Sequence, residues 1–318
     1  MNRLLRLLQD GRFHSGQELG EKLGVSRSSV WKHLQRVESE TGLRLYKVPG
    51  RGYRLAESLS LLDHEKLEPH LRRLGWSLYL RSTIDSTNAE ALRLLQEQVS
   101  APFLVLAEAQ TDGRGRRGRK WVSPVGQNLY YSLALKVVGG AQQLSGMSLV
   151  VGLAVMQTLR LLGVERAGLK WPNDVYADGR KIAGILLELT GDPADVCHVV
   201  IGIGINVNML TADSGIDQPW TSVRAQAGSM VDRNDLVLAL SDSLQGYLKR
   251  HMALGFPALQ AEWEASHIWQ GCKCTLSTGA QDFSGIVLGV DQQGALRLSI
   301  NGCEHSFSGG ELSLRLDP

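Results

Sequence analysis

The sequence predicts a multidomain α+β protein that begins with a winged helix-turn-helix. Its 318 residues are long for a single hydrophobic core and suggest two or three domains. Residues 1–56 carry eleven Lys or Arg and five Asp or Glu, whereas the whole chain has a net charge of only +2. The first module is therefore basic and the remainder mildly acidic, which favours an anionic polymer as the partner of the first module. Beyond it, helical and strand-like segments mix, and residues 271–316 show short alternating segments between glycine-rich turns.

The composition is that of a soluble globular protein, with 43% hydrophobic and 21% charged residues. We find no apolar run close to the roughly 20 residues of a membrane span, and no secretory signal pattern at the N-terminus. A cytoplasmic location is therefore expected. The cysteines are scattered and lack the paired spacing of a zinc site, so we expect reduced thiols. They are Cys197, Cys272, Cys274 and Cys303.

The N-terminal module has the start and stop signals of consecutive helices. Residues 1–8 form a short amphipathic pattern, and Ser15 begins a capping box that predicts a second helix. Gly24 suits the left-handed end of that helix, and Ser26 can cap a third helix over residues 27–37. Two helices joined by a tight glycine-containing turn are typical of DNA recognition in the major groove.

The last of these helices has one apolar and one polar face, and a basic wing follows it. Its apolar side chains are Val30, Leu34 and Val37. The predicted wing consists of strands Leu43–Val48 and Tyr53–Leu55 around the turn Pro49–Gly52, which suits contacts to phosphates. We expect DNA contacts from Ser26, Arg27, Ser28, Ser29, Lys32, Arg36 and Arg51. A helical module that serves a protein contact is the alternative. Residues 57–64 then look like a linker and the start of the next domain.

The run Gly113–Trp121 holds five cations and three glycines and follows the strand-like segment Phe103–Ala107. Glycines let a backbone approach a ligand closely, and arginines offer planar donor forks to carboxylate and phosphate oxygens. This concentration of positive charge predicts an anionic ligand, such as a nucleoside triphosphate beside a carboxylate. A solvated basic loop is the alternative.

The same run matches the dinucleotide-binding spacing G-x-G-x-x-G at Gly113, Gly115 and Gly118. That fingerprint opens a helix, whereas the strand-like segment Asn128–Leu135 follows here, so we reject it. The Gly-Lys-Ser/Thr of a Walker loop does not occur at the required spacing either. We therefore predict a strand–loop–strand anion clamp built from guanidinium side chains.

Polar side chains also mark the other segments of the central region. Asp85–Asn88 precedes a helix, and Thr87 with Glu90 can form a capping box, so a purely structural role for these hydroxyls stays open. Asn206 at the end of an apolar strand punctuated by glycines indicates a site where another group approaches the backbone. The further predicted elements are a helix over 142–162, a hairpin turn over 177–180, and strands over 181–189 and 199–207.

These motifs, in this order, resemble those of biotin–protein ligases. The resemblance rests on Gly113–Trp121, Lys170–Asp174, Arg180–Ile185 and Gly202–Asn206, and with the winged helix it covers essentially the whole chain. It implies the bifunctional form, a biotin–[acetyl-CoA-carboxylase] ligase that is also the biotin operon repressor.

The resemblance further implies three domains. The first is the winged helix-turn-helix, the second an SH2-like mixed α/β catalytic domain, and the third a small SH3-like β-barrel. We place them at residues 1–62, 63–268 and 269–318.

By the same resemblance, the enzyme activates biotin with ATP to biotinyl-5′-AMP and transfers biotin to a lysine of a biotin carboxyl carrier protein. Attack of a carboxylate on the α-phosphate brings two anions together, and preorganised donors lower such barriers by about 3 kcal/mol each. Mg²⁺ is implied because it is commonly held by one or two oxygen ligands plus substrate phosphates. With bound biotinyl-5′-AMP, a homodimer would repress biotin biosynthesis genes, since one helix-turn-helix reads one half-site of an operator.

The resemblance assigns site residues by their positions in the motifs. The implied catalytic cations are Arg116, Lys181 and Arg119. The implied biotin contacts are Ser86, Thr87, Asn88, Gln110, Gly113, Arg114, Gly115, Arg116, Lys181, Gly202 and Gly204, with Gly113, Gly202 and Gly204 leaving room for the bicyclic ring. The implied ATP contacts are Arg116, Arg119, Trp121, Asn173, Asp174, Lys181, Asn206, Trp220 and Arg315, and Asp174 is the implied metal ligand. Within the loop, Arg114, Arg117 and Lys120 can serve mainly to order or solvate it.

Two alternatives stay open at this point. A lipoate–protein ligase shares the catalytic architecture and the adenylate chemistry, although the Arg-rich loop and Lys170–Asp174 fit the biotin branch better. A metabolite-sensing repressor without catalysis is the other, although such a sensor has no need for the cations that hold a triphosphate.

Overall fold

The computed structural model describes residues 2–211, 215–278, 281–308 and 312–317. The first module contains three helices and a two-stranded antiparallel wing, which confirms the predicted helix-turn-helix. Its elements are α1 Asn2–Leu8, α2 Gly16–Leu23, α3 Arg27–Thr41, β1 Leu45–Val48 and β2 Gly52–Leu55. α3 is longer than predicted and β1 shorter, because the helix ends only at Gly42, which has a left-handed φ of 68°.

The predicted caps determine where these helices begin and end. The Ser15 hydroxyl accepts a hydrogen bond of 3.0 Å from the backbone N–H of Glu18, and Gly24 ends α2 with φ 70°. The Ser26 hydroxyl accepts one of 3.2 Å from the N–H of Ser29 and starts α3. The apolar face of α3 packs into a core of its own with α1, α2 and the wing.

The segment between the first module and the next helix is packed rather than loose. We predicted a linker over residues 57–64, and α4 His64–Arg73 does begin at its end. However, Leu59, Leu61 and Leu62 are buried. Burial of these side chains makes the connection part of the protein interior.

A seven-stranded mixed sheet forms the centre of the molecule. Its strands are β3 Ser77–Arg81, β4 Phe103–Ala107, β5 Leu129–Val138, β6 Ala167–Lys170, β7 Asp174–Ala177, β8 Arg180–Gly191 and β9 Val196–Ile205. They are arranged in the order β3-β4-β5-β9-β8-β7-β6, with β3 parallel to β4 and the other neighbouring pairs antiparallel. The helices of this part are α5 Thr87–Gln96, α6 Met147–Leu161, α7 Val223–Ala227, α8 Arg233–Leu254 and α9 Pro257–Ser266. The predicted mixed α/β architecture is confirmed.

The long helix predicted over residues 142–162 is interrupted. A short 3₁₀ turn covers Ala141–Leu144, and α6 begins only after Gly146, whose φ of 72° is incompatible with a continuous right-handed helix. By length and composition Ala141–Leu161 could cross a membrane, but 67% of its apolar window is buried inside the protein. It therefore serves as a core helix.

A five-stranded antiparallel sheet lies at the C-terminus. Its strands are β10 Lys273–Ser277, β11 Asp282–Val290, β12 Leu296–Ile300, β13 Cys303–Phe307 and β14 Ser313–Leu316, in the order β13-β12-β11-β10-β14. Its buried face shares one continuous hydrophobic core with the central sheet. Gly309–Glu311 of the predicted last segment, and Met1 of the predicted first helix, lie outside the described residues. All four cysteines are free thiols.

Candidate active site

A pocket of about 460 Å³ lies between the basic loop and the strands β8 and β9. Sixteen of the predicted ligand contacts line it: Ser86, Thr87, Asn88, Gln110, Arg114, Gly115, Arg116, Arg119, Trp121, Asn173, Asp174, Lys181, Gly202, Gly204, Asn206 and Trp220. Gly113 and Arg315 fall outside this lining. Gly113 is at the closed base of the loop, where an added Cβ would lie 2.6 Å from the Trp121 carbonyl oxygen, and Arg315 is exposed on β14.

The basic loop folds as a tight strand-to-strand connection, as predicted. The Trp121 N–H donates to the Gly113 carbonyl at 2.8 Å, and the Gly115 N–H donates to the Arg119 carbonyl at 2.7 Å. Arg117 occupies the left-handed region at φ 59° within a 3₁₀ turn. These bonds close the loop on itself, and its arginines belong to the lining of the pocket.

Two arginines of the loop contact the opposite wall. Arg116 donates from Nη1 to Asn173 Oδ1 at 2.9 Å, and Asn173 in turn donates to the Ile185 carbonyl at 2.7 Å. Arg114 lies 3.7 Å from a carboxylate oxygen of Glu188. The loop is therefore held against β8 by its own cations. Neither Glu188 nor its pairing with Arg114 was predicted, because only the register of the folded sheet brings them together.

A neutral hydrogen-bond network forms one end of the pocket. Gln110 Oε1 accepts from the Thr87 backbone N–H at 2.8 Å and from its hydroxyl at 3.1 Å. Gln110 Nε2 donates to Ser123 Oγ at 3.0 Å, and Ser132 Oγ donates to Thr87 Oγ1 at 2.8 Å. Such a set of donors and acceptors without charge suits a neutral polar ligand group. Ser123 and Ser132 were not predicted, because they reach the network from segments distant along the chain.

The predicted capping box at Thr87 is wrong by one residue. The N-cap of α5 is Ser86, whose hydroxyl accepts from the N–H of Ala89 at 3.5 Å. The carboxylate of Glu90 does not accept a hydrogen bond from the N-cap backbone, because it pairs with Arg93 at 3.0 Å. Capping therefore occupies Ser86, and the hydroxyl of Thr87 is left for the network with Gln110.

Cations and one carboxylate form the other end of the pocket. Lys181 Nζ lies 2.7 Å from Asp174 Oδ1, and both side chains are 15% exposed. The contact is an ion pair without the angles of a hydrogen bond, so this carboxylate oxygen keeps the capacity to accept a hydrogen bond from a ligand or to coordinate a metal ion. Lys170 lies 3.2 Å from the Tyr176 hydroxyl and 4.7 Å from the Trp269 ring. Burial lowers the pKa of the Lys170 amine.

Asn206 and Trp220 complete this end. The Asn206 side chain is buried and donates from Nδ2 to the Thr221 carbonyl at 3.1 Å. Backbone bonds from Lys181 to Pro219 and from Thr221 to Lys181 place Trp220 beside the start of β8. Lys170 was part of a predicted motif but had no predicted role. In the described chain no three His, Cys, Asp or Glu side chains converge as a metal site, so a metal ion here would depend on Asp174 and ligand oxygens.

The glycines of the two central strands receive protein side chains. Gly184 and Gly204 are directly paired across β8 and β9, and the Trp121 indole lies against both. Asn88 lies against Gly202. The expected room for a ligand ring at Gly202 and Gly204 is therefore filled by Asn88 and Trp121, and the expectation is corrected. Lys181 Nζ lies 5.6 Å from the centre of the Trp121 ring, so the indole also contacts the cationic end of the pocket.

A Gly204→Ala substitution is expected to displace Trp121. The added Cβ would lie 2.5 Å from the indole Cε2 atom, and overpacking of this kind costs about 1–3 kcal/mol. Urea unfolding should therefore give a lower free energy of unfolding for this variant than for the wild type. Gly246→Ala is the matched control, because Gly246 is exposed within α8 with nothing near its Cβ position, and alanine there should stabilise the helix. Equal changes in the free energy of unfolding for the two variants would contradict the packing of Trp121 on Gly204.

Most of the predicted DNA-contacting residues are exposed on the first module. Arg27, Ser28, Lys32, Arg36 and Arg51 are exposed. Arg36 donates to Glu40 at 2.6 Å, and Arg51 lies 4.4 Å over the Phe13 ring. The hydroxyls of Ser28 and Ser29 bond that of Ser26 at 2.9 and 3.0 Å.

Comparison with known proteins agrees with this arrangement. Residues 79–206 match the model of the biotin/lipoate A/B protein ligase family, and residues 1–54 match that of an HTH domain. The class defined by fold and site is thus a ligase domain of this family preceded by a helix-turn-helix.

Full-length relatives narrow the class. The chain is 40% identical to the bifunctional ligase/repressor BirA of Escherichia coli over 98% of this chain and 96% of that protein. It is 31% identical to the bifunctional ligase/repressor BirA of Bacillus subtilis over 91% and 90%. A biotin protein ligase from Aquifex aeolicus, solved in complex with biotin and ATP, is similar with a TM-score of 0.67 and 30% identity, over 76% of this chain and 99% of that one. The protein belongs to the biotin–protein ligases that carry a helix-turn-helix domain.

Proposed function

We propose that this protein activates biotin with ATP to biotinyl-5′-AMP and transfers the biotinyl group to a lysine of a biotin carboxyl carrier protein. The observation that carries the proposal is the division of the pocket into a neutral hydrogen-bonding end and a cationic end. The neutral end suits the ureido ring of biotin, which needs donors and acceptors but no charge. The cationic end suits a carboxylate that meets a triphosphate.

In this proposal the chemistry is mainly electrostatic. Arg116 and Lys181 hold the biotin carboxylate and the α-phosphate, and Arg119 meets the triphosphate. Their donors are preorganised, since Arg116 is held by Asn173 and Lys181 by Asp174. Fixed cations stabilise the charge that develops as the carboxylate oxygen attacks phosphorus and pyrophosphate leaves. For the transfer step, the protein needs to exclude water and position the incoming amine.

The other assignments follow the pocket. Ser86, Thr87, Asn88 and Gln110 are proposed for the biotin ring, with Arg114 and Gly115 beside it. Gly202 and Gly204 are proposed to act indirectly, by giving room to the side chains of Asn88 and Trp121. Trp121, Asn173, Asp174, Asn206 and Trp220 are proposed for the nucleotide. Gly113 and Arg315 are proposed to act from outside the lining, Gly113 by shaping the loop and Arg315 by its charge. Burial is the main cause of the lowered pKa of Lys170, and the positive charge of Arg315 lowers it further.

Mg²⁺ fits the donors of this site. Mg²⁺ is usually bound through one or two carboxylates plus substrate phosphates. Asp174 supplies such a carboxylate, with a buried oxygen outside any hydrogen bond among the described residues. The ion would neutralise phosphate charge when bound, while Asp174 also orients Lys181.

The proposal includes repression. A basic helix-turn-helix with Ser26, Arg27, Ser28, Ser29, Lys32, Arg36 and Arg51 on its surface is proposed to bind operator DNA of biotin biosynthesis genes. Two-fold operators need two such modules, so a homodimer favoured by biotinyl-5′-AMP is proposed as the binding form. We assign the three domains to residues 1–62, 63–268 and 269–318, with SH2-like and SH3-like folds for the second and third, in a cytoplasmic protein.

A biotin-transfer assay tests the enzyme. Purified protein, ATP, Mg²⁺ and labelled biotin should label a carrier domain at lysine, and exchange of pyrophosphate into ATP should depend on biotin but not on lipoate. DNA binding and sedimentation, each with and without biotin plus ATP, test the repressor in parallel. No labelling would refute the ligase, lipoate-dependent exchange would indicate the lipoate branch, and an unchanged sedimenting mass would refute ligand-favoured dimerisation.

A further inference from the structure

Helix α3 presents a large aromatic side chain to solvent. Trp31 is 43% exposed, although tryptophan is usually well buried. Its neighbour Val30 is fully buried, and Leu34 and Val37 complete the apolar face of the helix. The core of the module is therefore closed without the indole of Trp31.

The position of Trp31 places it within the DNA-facing surface. Arg27 and Gln35 are four residues before and after it and therefore flank it on the same side of α3. Both are exposed, as is the adjacent Lys32. Trp31 is thus an apolar group among donors, on the helix that a helix-turn-helix inserts into the major groove.

Charge and chemistry indicate what covers this indole. The module around it has eleven Lys or Arg against five Asp or Glu in residues 1–56, which is complementary to a polyanion. Thymine is the base that presents a methyl group in the major groove, and apolar side chains read it by direct contact. The serines at the start of α3 bond one another, so they are less available to read bases themselves.

We propose that Trp31 is a specificity-determining residue of the DNA interface and packs against the methyl group of a thymine in each half-site. The inference rests on the proposed repressor function and deepens it. Lys32 and Arg51 supply affinity for phosphates, whereas Trp31 supplies preference for a base. Its contribution is therefore independent of salt, unlike that of the cations.

The test begins with a selection. Full-length protein, with biotin and ATP present, is used to enrich binding sites from a randomised DNA duplex library. The enriched duplex is then made with deoxyuridine in place of each thymidine in turn, which removes one methyl group at a time. For the wild type, one substitution per half-site should weaken binding roughly threefold to fivefold, the value of one buried methyl.

The variant Trp31→Ala should bind the selected duplex roughly tenfold to a hundredfold more weakly, with an unchanged salt dependence. It should also bind the thymidine duplex and the deoxyuridine duplexes with equal affinity. Tyr46→Ala is the matched control, because Tyr46 is another exposed aromatic of the same module, 49% exposed on the wing. That variant should still bind the thymidine duplex more tightly than the deoxyuridine duplex. Lys32→Ala should instead reduce the salt dependence.

The outcomes separate two failures. If the wild type enriches no sequence, the repressor function fails and the inference with it. If the wild type enriches a site but Trp31→Ala keeps both the affinity and the thymine–uracil difference, the inference alone is overturned. Circular dichroism of the variant excludes unfolding, since the indole lies outside the core of the module.

Discussion

Replacing Lys181 by alanine is expected to reduce adenylate formation by roughly a hundredfold to a thousandfold. Lys181 is the cation closest to Asp174, at 2.7 Å, and lies 5.6 Å from the Trp121 ring, so its ammonium is fixed where the carboxylate and the α-phosphate meet in our proposal. Because it stabilises charge that develops during the reaction, its loss should lower kcat more than it raises the KM for biotin. Pyrophosphate exchange measured over a range of biotin concentrations separates the two.

Lys136→Ala is the control for that experiment, since Lys136 is an exposed lysine on β5 of the same sheet. It should retain normal exchange. In both variants the first module has its own core, so circular dichroism and binding to a non-specific duplex should stay unchanged. Full activity of Lys181→Ala would remove Lys181 from the mechanism.

Replacing Arg233 by alanine is expected to destabilise the protein strongly. Arg233 is fully buried at the start of α8 and pairs with the buried Glu108. It also donates to the backbone carbonyls of Ser60 at 2.6 Å and Asn128 at 2.8 Å. Removing one partner leaves a buried carboxylate uncompensated, which costs about 3–5 kcal/mol. The midpoint of urea unfolding should fall accordingly.

Two further variants make the prediction specific. The double variant Arg233→Met with Glu108→Leu removes both charges and should cost clearly less than Arg233→Ala, because no unpaired charge remains. Lys66→Ala breaks exposed ion pairs to Asp232 and Asp235 and should cost less than about 1 kcal/mol. If Arg233→Ala lowers the free energy of unfolding no more than Lys66→Ala does, the buried pair of Arg233 and Glu108 does not stabilise the fold as proposed.

The Arg233 cluster also illustrates a limit of sequence reasoning. The segment around Ser60 lies within residues 57–64, which were expected to be a linker and the start of the next domain. In the structure it supplies the carbonyl that Arg233 bonds, and the N–H of Leu62 donates to Glu108 at 2.6 Å. These partners are separated by 46 to 173 positions along the chain. A local pattern cannot reveal a contact whose partners only the folded chain brings together.

The candidate site shows the same division between local and distant effects. Nearly all predicted contacts line one pocket, because their motifs lie on neighbouring strands and on the loop that follows β4. Their partners were not predictable. Arg116 meets Asn173 across 57 positions, and Trp121 lies on the paired glycines Gly184 and Gly204 because of the register between β8 and β9.

The sequence by itself determined the features that depend on residues a few positions apart. These are the caps at Ser15 and Ser26, the turn at Gly24, the basic charge of the first module and the basic loop between two strands. The tertiary structure decided which hydroxyl caps α5, what fills the space over Gly202 and Gly204, and how the segment before α4 packs. The physical reason is that caps and turns are stabilised by hydrogen bonds within a few residues, whereas packing and buried ion pairs depend on strand register and on elements far apart in the chain.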